Sequence, residues 1–165
     1  MYREYRRRVH AIAHSHAAAF LTAGLKGLEK ESLRVTPAGT ISKRPHPSAL
    51  GSALTHPSIT TDYSEALIEL ITPPFTDSGE SLEFLERVHR YVYTVLDDEM
   101  LWVTSMPCAV AGDQSIPIAQ YGSSNSGMMR HIYRRGLAHR YGRVMQVISG
   151  VHFNYSVAVD VWPVL

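Results

Sequence analysis

The clearest periodicity in the chain lies between residues 78 and 97. Leu82, Leu85, Val88, Val92 and Val95 recur there at three- and four-residue spacing, which is one face of a helix. Asp77 and Glu80 stand ahead of the stripe at the spacing of a capping box. Residues 2 to 23 predict another helix, rich in alanine, free of proline and stopped by Gly24. Residues 27 to 36 (GLEKESLRVT) predict a strand closed by the turn Pro37-Ala38-Gly39. Residues 41 to 61 carry three prolines with many serines and threonines and predict a loop. Residues 63 to 72 (YSEALIELIT) predict a second strand ended by Pro73-Pro74. Their alanine, leucine and glutamate leave a helix open as the alternative.

Beyond residue 100 the pattern loosens. Pro107, Gly112, Pro117 and Gly122 punctuate an irregular stretch to 122. The polar turn 123–127 (SSNSG) suits a helix start, and a basic helix follows from 128 to 141. Residues 143 to 157 (RVMQVISGVHFNYSV) are rich in β-branched and aromatic residues and predict a long strand. Strands and helices without repeats point to an α+β fold, read as one unit over 1–165 with no internal boundary. A strand running on towards VDVWPVL suggests that further chain follows.

Composition narrows the class. With 165 residues, 45% hydrophobic and 19% charged, the chain can bury one core. A lone cysteine, Cys108, rules out an intrachain disulfide. No apolar run approaches the roughly 18 residues of a membrane span. The start, MYREYRRRVHAIAHSHAAAF, has the arginines of a targeting peptide, but Glu4, His10, His14 and His16 interrupt it, so a terminal helix and a cytoplasmic address are expected. Net charge is only +1, yet no Asp or Glu occurs between Asp113 and Asp160, where Arg130, Arg134, Arg135, Arg140 and Arg143 lie. The fold is therefore expected to bring an acidic half against a basic half. Those arginines read as a solvated face, an anion site or a nucleic-acid stripe. Near-neutral overall charge makes nucleic acid the weakest of the three, and neither nucleic acid nor membrane is expected as a partner.

Candidate chemistry follows from strand alternation. Glu29 and Glu31 point to one face, as do Glu65, Leu67, Glu69 and Ile71 on the second strand, and His152, Asn154 and Ser156 on the last. Asp62 sits just before the second strand. If the strands pair, these faces converge. Close carboxylates repel by about 4 kcal/mol per pair at an effective dielectric near 20. Mg²⁺ relieves that repulsion and bridges to phosphates, although histidine suits it less well. Acids alternating on a solvated face, and a histidine hydrogen-bonded in the core, are the plainer readings. Cys108 reads as a packed or free thiol rather than a nucleophile. There is no GxxxxGK[ST] phosphate loop and no GxGxxG.

The motifs GLEKESLRV, HPSALGSALTHPSITTDYSEALIELITPP, SMPC, IAQYGSSNSG, IYRRGLAHRYG and QVISGVHFNYS stand in one order from Gly24 to Ser156. Together they resemble the N-terminal part of bacterial-type glutamate–cysteine ligase. The resemblance implies a glutamine-synthetase-like antiparallel sheet, curved around an active site, with helices outside. It implies Mg²⁺ (or Mn²⁺) bound by Glu29, Glu31, Asp62, Glu69 and His152, and ATP as co-substrate. Tyr133 and Arg134 fall near the cysteine substrate, with Glu29, Glu69 and Arg134 as the catalytic set. The implied reaction is ATP-dependent joining of the glutamate γ-carboxylate to the cysteine amine through γ-glutamyl phosphate. Alternatives are a silent metal- and glutamate-binding fragment, a split subunit, or a related carboxylate–amine ligase. Family members are much longer, and their later part supplies another metal-binding glutamate and most of the ATP pocket. This chain alone is therefore expected to be inactive.

Overall fold

The computed structural model describes residues 2–164. An open five-stranded antiparallel sheet forms its centre. The strands are β1 (Leu25–Val35), β2 (Ile59–Thr61), β3 (Leu67–Ile71), β4 (Met100–Leu101) and β5 (Val151–Ser156). β1 is the longest and lies in the middle. β3 pairs along one edge, with β2 outside it, while β5 and then β4 share the other edge. Three helices accompany the sheet: α1 (Tyr2–Ala13), α2 (Ser78–Val95) and α3 (Asn125–Tyr141).

The two faces of β1 and β3 have different cover. Ile68 and Leu70 of β3, with Leu28 of β1, pack under Leu85, Val88, Val92 and Val95 of α2. Burying such aliphatic side chains contributes about 1.5–3 kcal/mol each. Asp77 caps α2, its carboxylate accepting from the Gly79 and Glu80 amides. Leu82 departs from the expected stripe. It is exposed, while its neighbour Ser81 takes the inward position and donates its hydroxyl to the Lys26 carbonyl of β1. On the opposite face, Leu33, Val35 and Leu67 are buried with Tyr63, Cys108, Ile116 and Val147, and Leu137 and Ala138 of α3 pack against them. α3 covers only this end of the face, so the half carrying Glu29, Glu31 and Glu69 is left open.

Several segments differ from their sequence expectation. Residues 2–23 do not form one helix. Ser15 interrupts them by donating its hydroxyl to the Ile12 carbonyl and accepting from the Ala17 amide, and His16–Ala23 continues as a 3₁₀ helix. The predicted strand 143–157 forms only from Val151. Val144–Val147 is a 3₁₀ turn, held where the Asp113 carboxylate accepts from the Arg143 and Val144 amides. The stretch after β5 is a 3₁₀ helix, Val159–Val164, and not a strand. Met1 and Leu165 lie outside the described residues. The loop expected over 41–61 holds β2 at its end.

Glu65 is not on the second strand. Residues 62–66 form a turn, and the Glu65 carboxylate is buried, accepting from the His46 amide at 2.8 Å and the Gln120 amide at 2.6 Å. Behind it lies an ion pair that sequence reading missed. Arg34 and Glu99 are both buried and meet at 2.8 Å, and the same guanidinium donates to the carbonyls of Arg44, Pro45 and Glu65. Cys108 is packed in the core, where burial pushes its thiol up.

Candidate functional site

Strand register assembles the open half of the sheet. Glu29 and Glu31, two apart on β1, project to the same face. Antiparallel pairing sets Glu69 of β3 opposite Glu31 and His152 of β5 opposite Glu29. Glu29 is held from two sides: His152 Nδ1 lies 2.8 Å from one carboxylate oxygen, and Asn154 Nδ2 donates to the other at 3.0 Å. The Gly150 amide donates to Glu31 Oε2 at 2.7 Å. A Cβ on Gly150 would sit 3.4 Å from His152 Nε2 and 3.6 Å from that oxygen, in ordinary van der Waals contact with both. Asp62 lies in the turn between β2 and β3, its amide bonded to the Leu67 carbonyl at 3.0 Å.

The charges feel one another. Burial pushes the Glu69 carboxyl up to about 7, and the neighbouring charges of Asp62, Glu29 and Glu31 push the same way, partly opposed by His152. Glu31 is also raised, chiefly by burial. The Gly150 amide lowers it, Asp62 and Glu29 raise it, and His152 lowers it. His152 is raised in turn, mainly by its hydrogen bond to Glu29. His152 is exposed on the sheet edge, not buried as a core histidine would be. Hard oxygen donors crowded enough to hold one another's protons suit a hard dication. The expected convergence takes the form of a shared face and not of a closed ligand set. Among the described residues no three of these side chains are gathered about one point. Both Glu29 oxygens and one of Glu31 are already engaged by the protein.

Arg134 joins the acidic face through the backbone. Its Nε donates to the Asp62 carbonyl, and its guanidinium stacks 4.8 Å above the Tyr121 ring, with Arg130 at 5.5 Å. The Tyr121 hydroxyl lies 2.6 Å and 2.8 Å from the carbonyls of Thr61 and Asp62, so one tyrosine ties α3 to the turn bearing Asp62. Ser124 caps α3, accepting from the Gly127 amide. Tyr133 is 64% exposed and lies about 100° further round the helix. Among the described residues it makes no hydrogen bond to the acidic side chains. The α3 arginines form no salt bridge among the described residues. The expected meeting of acidic and basic halves reduces to His152 on Glu29, Arg134 at the Asp62 turn, and Asp113 on the Arg143 and Val144 amides. Tyr121 and Gly150 were not marked by sequence reading, and nothing in their local pattern signals their roles.

A family model described as glutamate-cysteine ligase matches residues 9–165. The chain belongs to the glutamate–cysteine ligase family. A glutamate–cysteine ligase of Alcanivorax borkumensis is 58% identical over 155 residues, 94% of this chain. One of Azotobacter vinelandii is 52% identical over 161 residues, 98% of the chain. In each case the chain spans 30% of the relative's length. A crystal structure of glutamate–cysteine ligase from Francisella tularensis in complex with AMP superposes with TM-score 0.81 at 44% identity, covering 84% of this chain and 28% of that one. A bifunctional glutathione synthetase from Pasteurella multocida superposes with TM-score 0.78 at 34% identity, covering 92% and 19%. The mixed helical and open antiparallel architecture is thus that of this region of glutamate–cysteine ligase family proteins.

Proposed function

We propose that the chain forms the carboxylate-lined side of a glutamate–cysteine ligase active site, joining the γ-carboxylate of glutamate to the amine of cysteine at the expense of ATP. The observation that supports this most is the shared face of Glu29, Glu31 and Glu69, with Glu69 pushed up to about 7. Glu29, Glu31, Asp62, Glu69 and His152 are the residues that would hold Mg²⁺, whose chemistry is to neutralise charge on the ATP phosphates. In the reaction a γ-carboxylate oxygen of glutamate attacks the γ-phosphorus, and ADP leaves. The cysteine nitrogen then attacks the acyl carbon, phosphate leaves and an amine proton is lost.

The chain's own residues orient this site. His152 and Asn154 fix both oxygens of Glu29, and the Gly150 amide fixes one of Glu31. Arg134, whose Nε donates to the Asp62 carbonyl, is proposed to meet an incoming phosphate or substrate carboxylate. Tyr133, on the exposed side of α3, is proposed to meet the cysteine substrate from the solvent side.

A chimera tests the reading. This chain replaces the matching third of the Alcanivorax relative, and γ-glutamylcysteine formation is followed. The expected result is ligation that Glu69→Gln or Arg134→Ala abolishes. A folded chimera without ligation, or one indifferent to both changes, overturns the reading.

A further inference from the structure

Neither the sheet nor the acidic face uses α1. None of its residues is buried, and the element it packs against is the adjoining 3₁₀ segment His16–Ala23. The family match begins at residue 9, after all four of its arginines. Yet α1 is strongly patterned. Tyr2, Tyr5, Val9 and Ile12 recur at i, i+3, i+7 and i+10, which places them within roughly 80° of the helix circumference. Tyr2 is 82%, Tyr5 64% and Val9 46% exposed. Arg6 and Arg8 border this stripe on its two sides, and Arg3 and Arg7 lie further round. Glu4 occupies the far face and pairs with Arg7 at 2.7 Å and Arg8 at 3.1 Å.

An apolar stripe carrying tyrosines, with arginines along both borders, is the pattern of a helix that lies in a membrane interface, its aromatic rings at headgroup depth and its guanidinium groups reaching phosphates. The segment Val159–Val164 packs against His16–Ala23 and presents an exposed Trp162 at the same end of the molecule, another side chain favoured at that depth. We propose that α1 docks the protein on an anionic lipid bilayer, lying along its surface. A nucleic acid would engage the arginines but leave the Tyr2–Tyr5–Val9 stripe in water, so lipid matches both faces. No described helix is long and apolar enough to cross a bilayer, and surface docking needs none.

Co-sedimentation with vesicles tests this, using phosphatidylcholine alone and phosphatidylcholine with a third phosphatidylglycerol. The expected result is partition onto the anionic vesicles that falls steeply with added salt. Arg6→Ala and Arg8→Ala should each weaken it about five-fold. Tyr5→Ser with Val9→Ser should weaken it at every salt concentration. Melting curves of these variants should match the parent, because α1 buries nothing in the fold. Equal partition onto neutral vesicles, or variants that partition like the parent, overturns the proposal. So does capture of duplex DNA without vesicle binding, or capture of α1 by the later polypeptide of a longer relative without vesicle binding.

Discussion

Replacing Glu69 by Gln should stabilise the metal-free protein at pH 8 and do little at pH 4.5. The folded-state carboxyl is pushed up to about 7 from 4.5. A raised carboxyl means that the folded state binds the proton more tightly than the unfolded one. Stability is therefore full below pH 4.5, falls as pH rises towards 7, and levels off above it. At 1.36 kcal/mol per pH unit, the difference corresponds to roughly 3 kcal/mol, an upper figure because water reaches a half-buried site. Gln carries no charge and escapes this loss. Urea unfolding of both proteins at pH 4.5, 6 and 8 measures the effect. The curves should nearly coincide at pH 4.5 and separate in favour of the variant by up to about 3 kcal/mol at pH 8. Parallel stability-versus-pH curves, or a variant less stable at pH 8 than the parent, would refute the electrostatic reasoning.

Three further outcomes follow from the same structure. Glu99→Ala strands the buried Arg34 guanidinium and should cost about 3–5 kcal/mol in urea unfolding, whereas a loss below 1 kcal/mol would show the pair to be solvated. The chain alone, supplied with glutamate, cysteine and MgATP, should form no γ-glutamylcysteine by chromatography, since it spans 30% of its relatives. β5 (VHFNYS) is exposed along its whole length and carries no lysine, acid or proline to guard its edge. Light scattering should therefore show concentration-dependent association that Phe153→Lys reduces, and a monodisperse monomer at high concentration would contradict this.

Much of the fold was legible because its signals are local. α2 announced itself by a 3.6-residue stripe and Asp77, α3 by the polar turn holding Ser124, and β1 by the Pro37-Ala38-Gly39 turn that follows it. The misses share a different cause. Val144 and Val147 look like strand residues, but the Asp113 carboxylate, thirty positions away, holds that backbone in a turn. Glu65 fits the alternation of β3, yet partners from residues 46 and 120 draw it into a buried staple. Local periodicity carries no record of such long-range bonds. The acidic face was legible as separate strand faces. Its assembly depends on register, Glu31 against Glu69 and Glu29 against His152, and that is decided by pairing.

The claim that these carboxylates form one cation site is tested most directly with paramagnetic Mn²⁺, which broadens the NMR signals of residues near it. Titrated into the isotope-labelled chain at pH 8, Mn²⁺ should first broaden the amides of Glu29, Glu31, Asp62, Glu69 and His152, and Glu69→Gln should weaken that response. Broadening that begins instead at the exposed surface acids Glu83, Glu86, Asp97 and Asp98, and is unchanged by Glu69→Gln, would contradict the account.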